Sequence, residues 1–127
     1  MIRGIHHISL KCGTEEERAR VEDFYVRTLG LSVVREWDGG MLLDTGGGLI
    51  EVFCTGDGVR EKGAIRHVAL AADGVDETAE KVRAAGYDVF VAPRDIDVPC
   101  PARMAFCRGP LGEEIELFCE RKGSAAP

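Results

Sequence analysis

The two halves of the chain repeat one pattern of residues, and this duplication restricts the fold more than any other feature of the sequence. The segment IHHISL at 5–10 corresponds to IRHVAL at 65–70, and IEVFC at 50–54 corresponds to IELFC at 115–119. Polar and apolar residues alternate in these segments, which is typical of strands. The sequence therefore predicts two copies of one structural unit.

A helix signature lies between the matched strands of each half. Thr14 and Glu17 have the spacing of a capping box, and Gly30 is suited to end the helix that they open. In the second half, Asp73 or Asp76 is expected to open the corresponding helix. The apolar residues that share one face of each predicted helix are Val21, Phe24, Tyr25 and Leu29, then Val75, Ala79, Val82 and Ala85.

Three short β segments follow each helix, separated by glycine or proline. They are expected at 31–36, 41–44 and 49–54, and again at 88–91, 103–108 and 114–119. The predicted fold class is α+β, with two tandem βαβββ modules that form an open curled sheet. We expect one domain over residues 1–122, followed by a frayed tail at 123–127. Within this domain, module 1 covers about 3–54, a linker covers 55–63 and module 2 covers about 64–120.

Alternate residues of a strand point to opposite faces of a sheet. This parity turns His7, Glu51, His67 and Glu116 away from the predicted helices and toward a concave face. A carboxylate inside an apolar strand is costly to desolvate without a positive partner, and this pattern occurs twice. A divalent cation is the simplest partner for two imidazoles and two carboxylates. His6 falls on the opposite face and is expected to be structural or exposed.

Further residues are candidates for contact with a substrate on the concave face. Lys11 shares the parity of His7 and is expected either to contact a substrate carboxylate or to be solvated. Four apolar residues are expected to line a pocket, with packing in the core as the alternative: Phe53, Met104, Phe106 and Phe118.

Composition argues against two classes of partner. The 127-residue chain has a net charge of −6 and no basic stripe, so we expect no binding to nucleic acid or to membranes. It has no recognisable signal peptide and no apolar run of about 18 residues, which indicates a cytoplasmic protein. The five cysteines form an odd set without a CxxC pair, so reduced and mostly buried thiols are expected.

The duplicated segments of this chain resemble those of the vicinal oxygen chelate superfamily and, within it, those of the small glyoxalase I-like proteins. The resemblance extends over nearly the whole chain and implies a fold of paired βαβββ modules. The segments on which it rests are IHHISL at 5–10, LIEVF at 49–53, IRHVAL at 65–70 and GPLGEEIEL at 109–117.

The resemblance implies that His7, Glu51, His67 and Glu116 bind one divalent ion, which would be nickel, cobalt or zinc. A glutamate at the position of Glu51 points to glyoxalase I, because epimerase-like members usually have glutamine there. The implied substrate is the hemithioacetal that a thiol forms with an α-keto aldehyde such as methylglyoxal. The implied lyase reaction passes through an enediolate, with Glu116 as the base and Glu51 as its partner.

The resemblance leaves some alternatives open. Glutathione-dependent members usually have arginine and asparagine where this chain has Lys11 and Thr55, so the identity of the thiol is open. The alternative functions are an epimerase, a fosfomycin-type thiol transferase, or a non-catalytic protein that binds a small molecule or a drug. A homodimer is expected, with a monomer as the alternative, and the modules could pair within one chain or between two.

Overall fold

The computed structural model describes residues 1, 5–54, 60 and 65–121 of the chain. The chain divides into two compact units, Met1–Lys62 and Gly63–Pro127. The predicted tail and the predicted linker, apart from Arg60, lie outside the described residues. The elements follow the order β1 (His7–Lys11), α1 (Glu15–Val21), a π-helical segment (Glu22–Thr28), β2 (Ser32–Trp37), β3 (Gly40–Asp44), β4 (Leu49–Phe53), β5 (Val68–Ala71), α2 (Val75–Ala84), β6 (Val89–Ile96), β7 (Ala102–Arg108) and β8 (Glu114–Glu120).

Each unit is a βαβββ module with one four-stranded mixed sheet, which confirms the predicted α+β class. The strand order is β1-β4-β3-β2 in the first unit and β5-β8-β7-β6 in the second. In both sheets the first strand pairs in parallel with the last, and the other pairs are antiparallel. Ser9 lies opposite Glu51, and Ala69 lies opposite Glu116. The duplication seen in the sequence therefore extends to the strand register.

The first helix begins where the capping pattern predicts. The backbone N–H of Glu17 donates to Oγ1 of Thr14 at 3.1 Å, and the N–H of Gly13 donates to Oε1 of Glu17 at 2.7 Å. The Glu17 carboxylate also accepts two hydrogen bonds from Arg60, both at 3.0 Å. These bonds, first that from Arg60 and then that from Gly13, lower the pKa of Glu17.

The π-helical segment departs from the 3.6-residue spacing expected for this helix. The N–H of Leu29 donates to the carbonyl of Phe24, five residues earlier, at 2.9 Å. Phe24 and Tyr25 are both buried, and their rings meet edge to face with centroids 4.9 Å apart. The segment ends before Gly30, whose φ of 79° requires a residue without a Cβ, as the sequence predicts.

The second helix begins differently from the prediction. Its N-cap is Gly74, and no side chain caps the first turn, so the predicted capping by Asp73 or Asp76 is wrong. Asp76 instead accepts two hydrogen bonds from the Arg103 guanidinium on β7, each at 2.9 Å. This interaction lowers the pKa of Asp76. The bidentate pairing with a neighbouring strand thus replaces the local cap.

Each unit buries its own apolar core between the helix and one face of the sheet. The predicted helix stripe of the second unit is buried except at Ala85, which is exposed. The buried sheet residues on the helix-packed faces are Met41, Leu43, Ile50 and Val52 in the first unit, and Ala105, Cys107, Ile115 and Leu117 in the second. Neither helical region in the described part of the chain has the length and apolar character needed to cross a bilayer.

A disulfide joins Cys12, just after β1, to Cys54, just after β4. The prediction of reduced thiols is therefore wrong for this pair. The parallel pairing of β1 with β4 brings together two residues that are 42 positions apart, with Cα atoms 4.5 Å from each other. Cys100, Cys107 and Cys119 are free, and burial raises the pKa of the Cys107 thiol to about 11.

Candidate functional site

The first unit places His7 and Glu51 side by side on the face of the sheet that points away from α1. Nε2 of His7 lies 3.6 Å from Oε1 of Glu51. The contact follows from the register, because His7 lies two residues before Ser9, which is directly opposite Glu51. The neighbours of Glu51 on β4, Ile50 and Val52, are buried on the other face. Strand alternation thus leaves one carboxylate on the solvent side of an apolar strand.

The second unit repeats this pair with His67 and Glu116. Nε2 of His67 lies 3.3 Å from Oε1 of Glu116, and the Glu116 side chain is only 12 % exposed. The ring of Phe106 meets the imidazole edge to face, with centroids 5.1 Å apart. Phe106 lies opposite Glu116 on β7, and its ring contact restricts the orientation of the imidazole.

Each pair offers one imidazole nitrogen and one carboxylate oxygen, and these are suitable donors for zinc, cobalt or nickel. In the part of the chain that the structure describes, no group of three or more histidine, cysteine, aspartate and glutamate residues forms a metal-ligand cluster. Each unit by itself therefore contributes two possible ligands. The set of His7, Glu51, His67 and Glu116 around one ion stays a prediction.

His6 contacts the first pair, which the sequence did not indicate. It is exposed, and its Nδ1 lies 2.9 Å from Nδ1 of His7. One of the two nitrogens must donate in this bond, because a hydrogen bond needs a donor and an acceptor. When His7 donates, its Nε2 keeps the lone pair that metal binding requires. His6 is therefore placed to select the tautomer of His7.

The other candidate residues lie on the same faces as the two pairs. Lys11 and Phe53 lie opposite each other on β1 and β4, and both are exposed. Met104 lies opposite Phe118 on β7 and β8. Phe118 is half-buried, whereas Met104 is only 4 % exposed, which favours packing as its role.

Arg35 and Trp37 join the face of the first pair, although neither was a candidate from the sequence. Val33 lies opposite Leu43, which is buried on the helix side of the sheet. Regular alternation from Val33 would therefore turn Arg35 and Trp37 toward the helix as well. A bulge at Val34 reverses this parity and sets Arg35 opposite Leu42 and Trp37 opposite Gly40. A single-residue bulge has no dependable signal in a sequence, so the sequence did not indicate Arg35 and Trp37 as candidates.

The chain matches the model of the Glyoxalase/Bleomycin resistance protein/Dioxygenase superfamily over residues 4–117. No curated protein sequence matches it. Among solved structures, a glyoxalase family protein from Enterococcus faecalis is 23 % identical with a TM-score of 0.72, and the match covers 91 % of this chain and 97 % of that one. A glyoxalase/bleomycin resistance protein/dioxygenase from Nocardioides is 23 % identical with a TM-score of 0.69, covering 100 % and 90 % of the two chains.

A glyoxalase I mutant from Zea mays is 21 % identical with a TM-score of 0.75, and the match covers 90 % of this chain but 43 % of that longer chain. At these identities the structural likeness establishes the fold alone. The family match spans nearly the whole chain, and both βαβββ modules agree with it. This chain therefore belongs to the Glyoxalase/Bleomycin resistance protein/Dioxygenase superfamily.

Proposed function

We propose that this chain is a metal-dependent lyase of the glyoxalase I type that acts on the hemithioacetal of an α-keto aldehyde such as methylglyoxal. The main support is the recurrence of a His–Glu pair at the same register in both units. His7, Glu51, His67 and Glu116 would hold one nickel, cobalt or zinc ion. The two units of one chain, or units of two chains in a homodimer, would supply these four ligands.

The donor set suits a Lewis-acid reaction. A divalent ion held by two carboxylates and two imidazoles would stabilise negative charge on two adjacent substrate oxygens. Glu116 is the base that removes the proton from the substrate carbon, and Glu51 is its partner on the opposite face of the substrate. The low exposure of Glu116 keeps bulk water from the transferred proton. Phe106 holds the His67 ring while this transfer occurs.

The test is a thiol-dependent activity assay on the metal-loaded protein. The protein is incubated with nickel, cobalt or zinc, methylglyoxal and one of glutathione, bacillithiol or cysteine, and thioester formation is followed. We expect turnover by the wild type and a loss of at least about 100-fold in kcat for Glu116→Gln. Glu114→Gln is the matched control, because Glu114 lies on the same strand but pairs with Arg108 at 3.6 Å. Failure of all three thiols on metal-loaded protein would rule out the lyase.

A non-catalytic binding protein of the same fold is the second candidate. It is supported by Lys11 and Thr55, which stand where glutathione-dependent members usually have arginine and asparagine. Elemental analysis separates the two functions, because the lyase requires about one bound divalent ion per site. Assays with fosfomycin and with an acyl-CoA substrate test the transferase and epimerase alternatives in the same preparation.

We further propose that the protein is cytoplasmic and forms a homodimer. Light scattering would measure the mass of the particle in solution and so test the homodimer.

A further inference from the structure

Three side chains of the first unit form a continuous surface beside the first His–Glu pair, in which the Trp37 and Phe53 ring planes meet at 68°. Trp37 meets Phe53 with ring centroids 5.8 Å apart, and Cζ of Arg35 lies 5.9 Å from the centroid of the Trp37 ring. We call Arg35, Trp37 and Phe53 the aromatic platform. The indole lies over Gly40, where a Cβ would lie 2.9 Å from Cζ2 of Trp37 and would collide with the carbonyl oxygen of Val52. The platform therefore requires a glycine beneath it.

The backbone under the platform is fixed from the helix side. The Arg18 guanidinium donates to the carbonyl oxygens of Asp38 at 2.8 Å, Trp37 at 3.1 Å and Gly40 at 3.3 Å. Three bonds from one side chain fix the β2–β3 turn to α1. A ligand that binds the platform would then lose little free energy to ordering this turn.

The platform lies on the face of the sheet that carries Glu51. Arg35 is opposite Leu42, and Leu42 is opposite Glu51, so the three residues form one row across β2, β3 and β4. Adjacent strands are about 4.8 Å apart, which puts the Cα atoms of Arg35 and Glu51 at about 10 Å. Phe53 is two residues beyond Glu51 on the same face of β4. A molecule held at Glu51 could therefore reach the platform.

The chemistry of the platform indicates what it binds. Arg35 is exposed, and no acidic side chain in the described ranges forms an ion pair with it. Its guanidinium is free to bind a carboxylate with two parallel hydrogen bonds, and the inclined indole and phenyl rings can contact a flat ring, one edge to face and the other face to face. We propose that the platform binds an aromatic ring bearing a carboxylate, as the part of the substrate that does not react. This inference rests on the proposed function, since it names the substrate class of that site.

The binding can be measured without catalysis, because Trp37 is the only tryptophan of the chain. Its indole N–H gives one tryptophan side-chain signal in a nitrogen–proton correlation NMR spectrum. The full-length protein is titrated with benzoate, with benzamide as the uncharged ring and with acetate as the charge without a ring. We expect a saturable shift of the Trp37 signal with benzoate, and at least about tenfold weaker binding of benzamide and acetate.

Arg35→Gln should weaken benzoate binding by at least about tenfold and leave benzamide binding unchanged. Phe53→Leu should weaken both ring compounds alike. Arg27→Gln is the matched control, because Arg27 belongs to the same unit and pairs with Asp23 on the helix side. Any one of three results would overturn the inference. These are equal affinities for benzoate and benzamide, an equal effect of Arg35→Gln and Arg27→Gln on benzoate binding, or no shift of the Trp37 signal with benzoate.

The same variants separate this inference from the proposed function. If benzoate binds through Arg35 but no thiol supports turnover, the lyase proposal fails and the platform stands. If methylglyoxal is converted and benzoate does not bind, the platform fails and the lyase stands. If both stand, Arg35→Gln should lower kcat/KM for the hemithioacetal of carboxyphenylglyoxal at least about tenfold more than for that of methylglyoxal.

Discussion

Phe106 meets the imidazole of His67 edge to face at a centroid distance of 5.1 Å, while Nε2 of the same ring lies 3.3 Å from Oε1 of Glu116. In the first unit, Leu42 occupies the register position that corresponds to Phe106. The His67 side chain is 28 % exposed, compared with 39 % for His7. The two pairs thus share a register but differ in enclosure, and the second is the more restricted.

We expect Phe106→Leu to weaken divalent metal binding by about tenfold, the effect of removing a contact that orients a ligand. The physical reason is the loss of the ring that limits rotation of His67. Competition with a chromophoric chelator measures the affinity. Phe118→Leu is the control, since Phe118 lies on the same face but opposite Met104 rather than at the imidazole. Equal metal affinity in the two variants would contradict this role of Phe106.

His6→Ala should also weaken metal binding by about tenfold, because His7 would lose the partner that selects its tautomer. Arg66→Ala is the matched control, since Arg66 occupies the corresponding position of the second half. The nitrogen chemical shifts of the His7 ring report the tautomer directly, and they should change in His6→Ala only. The idea fails if the His7 ring shifts stay the same.

Gly40→Ala should lower the free energy of unfolding by about 1–3 kcal/mol or more, as overpacking does. The added methyl group would collide with the backbone of Val52 and press against Trp37. Gly47→Ala is the control, because a Cβ there meets nothing within 4 Å and the backbone lies outside the left-handed region. Urea unfolding measures both variants, and a similar loss in the two would show that the close approach at Gly40 has no cost.

The Glu17–Arg60 pair predicts a pH-dependent stability. The pKa of Glu17 is lowered in the folded protein, chiefly by its hydrogen bond from Arg60, so the folded state favours the ionised carboxylate. This contribution is complete above the ordinary value of 4.5 and is lost as the pH falls through the lower pKa of the folded protein. Glu17→Gln should therefore cost about 0.5–1 kcal/mol at neutral pH and nothing in strong acid. A difference that does not change with pH would contradict this assignment.

The cysteines should differ in reactivity toward a thiol reagent. Cys107 should stay unmodified in the folded protein at neutral pH, because burial raises its pKa to about 11 and excludes the reagent. Cys12 and Cys54 should react only after reduction and unfolding. Mass spectrometry of labelled peptides identifies each modified site.

Replacing both Cys12 and Cys54 by alanine should lower the free energy of unfolding by about 2–4 kcal/mol, the usual effect of removing a disulfide that closes a loop of this size.

The sequence by itself determined the features that depend on near neighbours along the chain. The duplicated strands predicted two βαβββ modules, and alternation with period two predicted the shared face of His7 and Glu51 and of His67 and Glu116. The cap at Thr14 and the helix end at Gly30 were predicted for the same reason. These features arise from the directions of consecutive side chains and from hydrogen bonds within one turn, which residue types and spacing express directly.

Only the tertiary structure decided the features that depend on pairing between distant segments. The bulge at Val34 turns Arg35 and Trp37 to the face of the sheet that carries Glu51, and it is set by how β2 pairs with β3. The Cys12–Cys54 bond requires the parallel pairing of β1 with β4. Strand register and bulges reflect the summed packing of the whole sheet rather than the preference of any one residue, so the sequence gives no local signal for them.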